Sequence, residues 1–254
     1  MPEFDFSGRT ALITGAASGI GAASARWLAS HGMARIVLVD LDAAALDRLE
    51  LPCEALRIAG DVADESLWND VEARITRLDH ALINAGIADG CPIVDQDFGK
   101  WKHMQAVNLD GAFLALRAAL RVMQRTESGR SIVLTSSAAG IRPMANTAAY
   151  GTTKAAIAHL ARIAAAEHAK DRIRVNAVAP GRVDTPIWTK TAQFRSMIDS
   201  LGRDEALSKL AAESTPLGSF ATAEELAGQI GFLLSDAATN ITGTVLVSDG
   251  GYTL

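Results

Sequence analysis

Thr10-Ala11-Leu12-Ile13-Thr14-Gly15-Ala16-Ala17-Ser18-Gly19-Ile20-Gly21 is a short apolar run that meets three glycines and passes into a helical pattern ending near Ser30-His31-Gly32. Glycine at these places permits a tight turn, close approach of backbone N–H groups to a pyrophosphate, and tight contact between strand and helix. The positive end of the following helix favours the same anion. Outward from this stretch, apolar β-branched runs at 35–40, 55–59, 80–84, 131–136, 174–179 and 245–248 alternate with helical patterns. Continuous apolar strands separated by amphipathic helices predict a doubly wound parallel α/β sheet of about seven strands, Rossmann-like, with helices on both faces and right-handed crossovers. Ligands in that architecture bind beyond the carboxyl ends of the strands, where Thr14, Asp40, Asp61, Asn84 and Ser136 fall.

The totals narrow the function. The 254 residues contain no linker, repeat or low-complexity tract, so a single domain is expected over 1–254. Acids outnumber bases 29 to 24, a formal charge of −5 without a basic cluster, which argues against a nucleic-acid or anionic-membrane partner and for a small molecule. Met1-Pro2-Glu3-Phe4-Asp5-Phe6 is unlike a secretory signal and no apolar run approaches a bilayer span, so a cytoplasmic protein is expected. Cys53 and Cys91 are isolated, and the five histidines show no metal-ligand spacing, so no catalytic metal is expected.

The second strand ends in Asp40, about twenty residues past the last glycine, where a carboxylate accepts hydrogen bonds from an adenosine ribose. With Ser18 and Leu41 where a basic residue would balance a 2′-phosphate, the reading favours NAD over NADP. Asp61-Val62 is placed to meet the adenine, and Asn84-Ala85-Gly86 puts small residues beside the cofactor. Tyr150 and Lys154 stand four apart at the entrance to an alanine-rich helix, on one face of it. An ammonium so near a phenol favours the phenolate, which makes a proton-transfer tyrosine feasible near neutral pH.

Taken together, Thr14-Gly15-x3-Gly19-x-Gly21, Asp61, Asn84-Ala85-Gly86, Asn108, Ser137, Tyr150-x3-Lys154 and Pro180-Gly181 resemble, in order and in place, the ordinary branch of the short-chain dehydrogenase/reductase family, from Gly8 to Gly251. The resemblance implies that Tyr150 is the general acid/base and that Lys154 lowers its pKa and binds the nicotinamide ribose. It implies that Ser137, thirteen residues before Tyr150, holds the substrate oxygen, the spacing favouring it over the adjacent Ser136, and that Asn108, inside a helix, anchors a proton-relay water to Lys154. Pro180-Gly181-Arg182-Val183-Asp184-Thr185-Pro186 is similar to the family's nicotinamide loop, with Val183 and Thr185 as contacts and pro-S hydride transfer as the consequence. Gly15, Ser18, Gly19, Ile20, Gly21, Asp40, Leu41, Asp61, Val62, Asn84, Ala85, Gly86, Pro180 and Gly181 complete the cofactor set.

Substrate contacts are expected from 87–94, 140–147 and 187–212, with a lid at about 185–213. Ile141, Met144, Ile187, Trp188, Phe194 and Met197 suit a bulky secondary alcohol or ring ketone, and Arg142 is a candidate for a substrate anion. The leading expectation is an NAD-dependent secondary-alcohol dehydrogenase or carbonyl reductase. A 3-oxoacyl-thioester reductase and a non-catalytic NAD-sensing regulator stand as alternatives; enoyl reductases of the superfamily space Tyr and Lys more widely. Small side chains on the helices of Asn108 and Tyr150, among them Gly111, Ala112, Ala115, Ala155, Ala158, Ala161 and Ala164, permit close approach of a second copy, and the resemblance implies a homotetramer.

Overall fold

Seven parallel strands form one sheet in the computed structural model, which describes residues 4–125, 129–185 and 192–254. The order is β3-β2-β1-β4-β5-β6-β7, with β1 at Thr10–Thr14, β2 at Arg35–Asp40, β3 at Glu54–Ala59, β4 at His80–Ile83, β5 at Arg130–Thr135, β6 at Ile173–Pro180 and β7 at Val245–Ser248. These ranges depart from the sequence reading by one residue at some strand ends. At β4 the reason is visible: the Asn84 N–H leaves the ladder for the Thr14 hydroxyl, 2.9 Å away.

Side-chain alternation divides the core between the two faces. Leu12, Val37 and Val39 pack under α3 (Glu65–Arg74), α5 (Gly111–Met123) and α6 (Ala148–His168), whereas Ala11, Ile13, Ile36 and Leu38 pack under α1 (Gly19–Ser30), α2 (Ala43–Asp47) and α9 (Ala223–Leu234). Both faces are covered, which is why these strands are apolar throughout. The order reverses between β1 and β4, and that switch point opens a crevice at the carboxyl ends of the strands.

The remaining helices are α4 (Phe98–Gln105), which runs through a π-helical turn at Ala106–Asp110 into α5, and the pair α7 (Ala192–Leu201) and α8 (Arg203–Ser214). Pro186, Ile187, Trp188 and the side chain of Phe194 lie outside the described residues, as do Met1, Pro2 and Glu3. No helix among the described residues is long and apolar enough to cross a membrane.

The alanine stripe does not face outward as expected. Gly111, Ala112, Ala115, Ala158, Ala161 and Ala164 are buried, most of them in the chain's own core, because close helix–sheet packing selects small side chains just as helix–helix packing does. Ala155 is exposed, and the larger apolar groups that these two helices leave in solvent are Phe113 and Ile163.

Candidate active site

A cleft of about 840 Å³ runs along the carboxyl ends of the strands from Asp40 and Leu41 to Tyr252. Its first wall is the glycine turn. Gly15 takes φ +65°, and a Cβ there would stand 2.9 Å from the Ala85 Cα; a Cβ on Gly21 would stand 2.1 Å from the Gly15 carbonyl oxygen. No side chain fits in either place, so the turn and α1 close tightly on each other. Gly19 also has positive φ, and Ser18, at the N-cap of α1, places no side-chain hydrogen bond on the first turn. The helix start is thereby left to an external acceptor. Gly15, Ser18 and Ile20 line the cleft, while Gly19 and Gly21 lie behind it and shape the turn.

Asp40 is held by the same turn. One carboxylate oxygen accepts the Ala17 N–H at 2.9 Å and the other the Asp42 N–H at 3.0 Å, which aims the group into the cleft. Leu41 beside it is 74% exposed and supplies no charge. Asp61, Val62, Asn84, Ala85 and Gly86 follow along the floor. Thr14 joins the two central strands there, its hydroxyl accepting the N–H groups of Asn84 at 2.9 Å and Ala85 at 3.0 Å. The glycine cradle, the helix start, the carboxylate and the volume together fit a dinucleotide.

At the far end Tyr150, Lys154 and Ser137 converge. The Lys154 Nζ is 5.7 Å from the centre of the Tyr150 ring and donates to the Thr135 carbonyl at 2.9 Å. Gly86 and Gly140 permit this approach: a Cβ on Gly86 would lie 3.4 Å from that Nζ, and one on Gly140 would lie 2.6 Å from the Lys154 carbonyl carbon. Two neighbouring serines separate here. Ser136 is buried with its hydroxyl donating to the Lys154 carbonyl at 2.7 Å, while Ser137 faces the phenol of Tyr150 as its hydrogen-bond partner.

The electrostatics differ from the sequence expectation. Burial pushes the Tyr150 phenol above its ordinary pKa, and the Ser137 hydrogen bond draws it back down. Burial also lowers Lys154 to about 8. The expected lowering of Tyr150 by Lys154 is therefore not present in the protein alone, because desolvation of the phenolate outweighs an ammonium turned toward a backbone carbonyl.

Asn108 sits in the π-helical turn, fully buried. Its side chain accepts the Ile87 N–H at 2.8 Å and donates to the Ile87 carbonyl at 2.9 Å and to the Thr153 hydroxyl at 3.3 Å. It does not line the cleft; it fastens the loop after β4 to α6 one residue from Lys154. The local bonding is i to i−5, from the Gly111 N–H to the Ala106 carbonyl, which departs from the α-helical ladder beside the site. Pro180, Gly181, Val183 and Thr185 close the end wall. The Gly181 N–H donates to the Ser248 carbonyl at 2.9 Å, and Ala221 ties the loop from outside, its carbonyl accepting the Asp184 N–H at 2.9 Å and its N–H donating to the Arg182 carbonyl at 3.0 Å.

Known proteins resemble this chain along nearly its whole length. A family model described as enoyl-(acyl carrier protein) reductase, of the short-chain dehydrogenase type, matches residues 15–253. The cis-4-hydroxycyclohexanecarboxylate dehydrogenase of Sinomonas cyclohexanicum is 40% identical, over 98% of each chain. The chain belongs to the short-chain dehydrogenase/reductase family. Among solved structures, levodione reductase is 32% identical with a TM-score of 0.86 over 98% of each chain. The L-sorbose reductase of Gluconobacter frateurii, solved with NADPH and L-sorbose, is 31% identical with a TM-score of 0.90, covering 98% of this chain and 97% of that one. Members of the family use nicotinamide cofactors.

Around the Tyr150 end, Met144 and Thr147 line the cleft, whereas Ile141 and Met197 do not. Arg142 does not face an open anion site: it donates to the Tyr252 carbonyl at 2.6 Å. His103, Arg182 and Tyr252 also line the cleft without having been anticipated. Tyr252 has no local motif, and only the return of the chain terminus to the sheet places it there. His103 is legible afterwards, since it precedes Val107 by one helical turn and Val107 lines the same wall.

Proposed function

We propose that the protein interconverts a secondary alcohol and a ketone, of bulky or cyclic form, with NAD as cofactor. The observation that carries this reading is the placement of Ser137 and Lys154 beside Tyr150 at the end of a cleft that begins at Asp40. Ser137 holds the substrate oxygen beside the phenol. Tyr150 takes the hydroxyl proton during oxidation and returns it to the carbonyl oxygen during reduction. Lys154, protonated below about 8, holds positive charge against the developing oxyanion and binds the nicotinamide ribose. Gly15, Ser18, Ile20 and α1 hold the pyrophosphate, Asp40 the adenosine ribose, Asp61 and Val62 the adenine, and Val183 and Thr185 the nicotinamide end. The cofactor supplies and accepts the hydride.

The names of relatives support an alcohol or ring-ketone substrate, since one is a hydroxycyclohexanecarboxylate dehydrogenase and others are reductases of levodione and L-sorbose. For a 3-oxoacyl-thioester reductase, a basic 2′-phosphate site is wanted; among the described residues lining the cleft, the Lys and Arg side chains are Lys154 and Arg182, both from the catalytic end. The same point favours NAD, although the L-sorbose reductase was solved with NADPH. A purely NAD-sensing role would leave Ser137, Tyr150 and Lys154 without a use. The helices α7 and α8 form the lid, tied to the cofactor loop by the ion pair of Arg203 with Asp184.

A panel of cyclic and aromatic secondary alcohols with NAD or NADP, followed by nicotinamide absorbance, tests the reading. Turnover is expected with NAD, at a kcat/KM at least roughly tenfold above that with NADP, a ratio worth about 1.4 kcal/mol. Asp40→Ala should bring that ratio toward unity by removing the charge opposed to a 2′-phosphate. A wild type that prefers NADP, or an unchanged ratio in the variant, overturns the cofactor assignment.

The assembly we propose is a homotetramer, now motivated by exposed Phe113 and Ile163 on α5 and α6 rather than by their alanines. Self-complementary faces close into two-fold assemblies. Light scattering at micromolar protein should give four times 26.7 kDa, and a monomer mass would refute it.

A further inference from the structure

Residues 249–254 form a turn fastened to three separate segments around the cleft. Asp249, just past β7, accepts the N–H of Gly251 at 2.9 Å and of Thr253 at 2.8 Å, around Gly250 and Gly251, which both take positive φ. The nicotinamide loop packs directly on it: a Cβ at Gly181 would stand 2.7 Å from the Asp249 Cα. The segment after α8 is bonded to it as well, with the Leu217 N–H donating to the Gly250 carbonyl at 3.0 Å. From the loop after β5, Arg142 donates to the Tyr252 carbonyl at 2.6 Å and lies 5.3 Å from the centre of the Tyr252 ring. These ties hold Tyr252 in the lining of the cleft that also contains Met144, Thr147 and Tyr150.

Here a charge-assisted hydrogen bond and a cation–π contact act on one residue, and that residue carries one of the two tyrosines of the chain. A tyrosine ring offers a large, rigid apolar area at a small entropy cost. With Met144 and Thr147 lining the same cleft, such a ring narrows it for the flat body of a cyclic alcohol, whereas a small acyclic alcohol leaves it unfilled.

We propose that Tyr252 is a specificity-determining wall of the substrate pocket, selecting cyclic over small acyclic secondary alcohols, and that Arg142 is the positioning residue that holds it there. The inference rests on the alcohol-oxidoreductase reading above.

The test compares kcat/KM for cyclohexanol and for 2-butanol. Tyr252→Ala should lower the cyclohexanol-to-2-butanol ratio by roughly tenfold, through KM for cyclohexanol, because apolar pocket contacts discriminate on that scale. Tyr252→Phe should keep the ratio, since the ring and not the phenol oxygen makes the wall. Arg142→Met should shift the ratio in the same direction as Tyr252→Ala and speed hydrogen exchange at the Gly251 and Thr253 amides; Arg142→Lys should restore part of both. An active wild type whose ratio is unmoved in Tyr252→Ala overturns this proposal alone, as does an Arg142→Met protein that matches wild type in both readouts. A wild type inactive on both alcohols overturns the oxidoreductase reading and this inference with it.

Discussion

Tyr150→Phe is expected to bind NAD like the wild type and to lose nearly all turnover. The ring remains in its half-buried place beside Ser137 and Lys154, while the phenol proton assigned to the transfer is removed. General acid–base groups are worth about 10²–10⁴-fold in rate, so the residual rate should fall below about a hundredth. Single-turnover absorbance measurements with saturating NAD, alongside NAD titration by fluorescence quenching, separate chemistry from binding. A variant retaining more than about a tenth of the wild-type rate would remove Tyr150 from the acid/base role.

Lys154→Met should be inactive and yet no less stable than the wild type at pH 7. Lys154 is 4% exposed, and burial lowers its pKa from 10.5 to about 8. That shift corresponds to about 3 kcal/mol against the charged form in the folded chain. Methionine fills the same channel without the charge, at the loss of the hydrogen bond to the Thr135 carbonyl, worth about 1 kcal/mol. The pH dependence has a definite sign. Between about 8 and 10.5 the unfolded chain holds a proton that the folded chain has released, so wild-type stability rises with pH there and gains on the variant. Below about 8 the difference between the two is flat. Thermal melts of both proteins from pH 7 to 10 check this, with NAD titration as a second readout, since Lys154 is assigned to the ribose as well. A variant that melts well below wild type at pH 7 would show the ammonium to be structural.

Much of this protein was legible along the chain because its signals are local. An apolar strand that ends in Gly15, Gly19 and Gly21 can be recognised from the stretch itself, since the backbone conformation and close approach exclude other residues. Apolar strands alternating with helices determine a doubly wound sheet, and the sheet brings its strand ends to one crevice. Asp40, Asn84 and Tyr150-x3-Lys154 then fall into that crevice by their positions at strand ends and on one helical turn.

What depends on distance through space was decided only by the tertiary structure. Ser136 and Ser137 are told apart in the sequence only by spacing to Tyr150, and the physical reason appears in the packing: the Ser136 hydroxyl donates to the Lys154 carbonyl, which leaves Ser137 with the phenol. The alanines of α5 and α6 read equally well as an interface or a core, and the sheet claimed most of them, while Asn108 took a π-helical turn that no propensity announces. The balance at Tyr150 also lay outside the pattern, because spacing reports the nearness of Lys154 but not the desolvation that opposes it. Arg142 and Tyr252 are 110 residues apart, and their contact exists because β7 returns the chain's end to the crevice, so neither residue's local sequence carries a sign of the other.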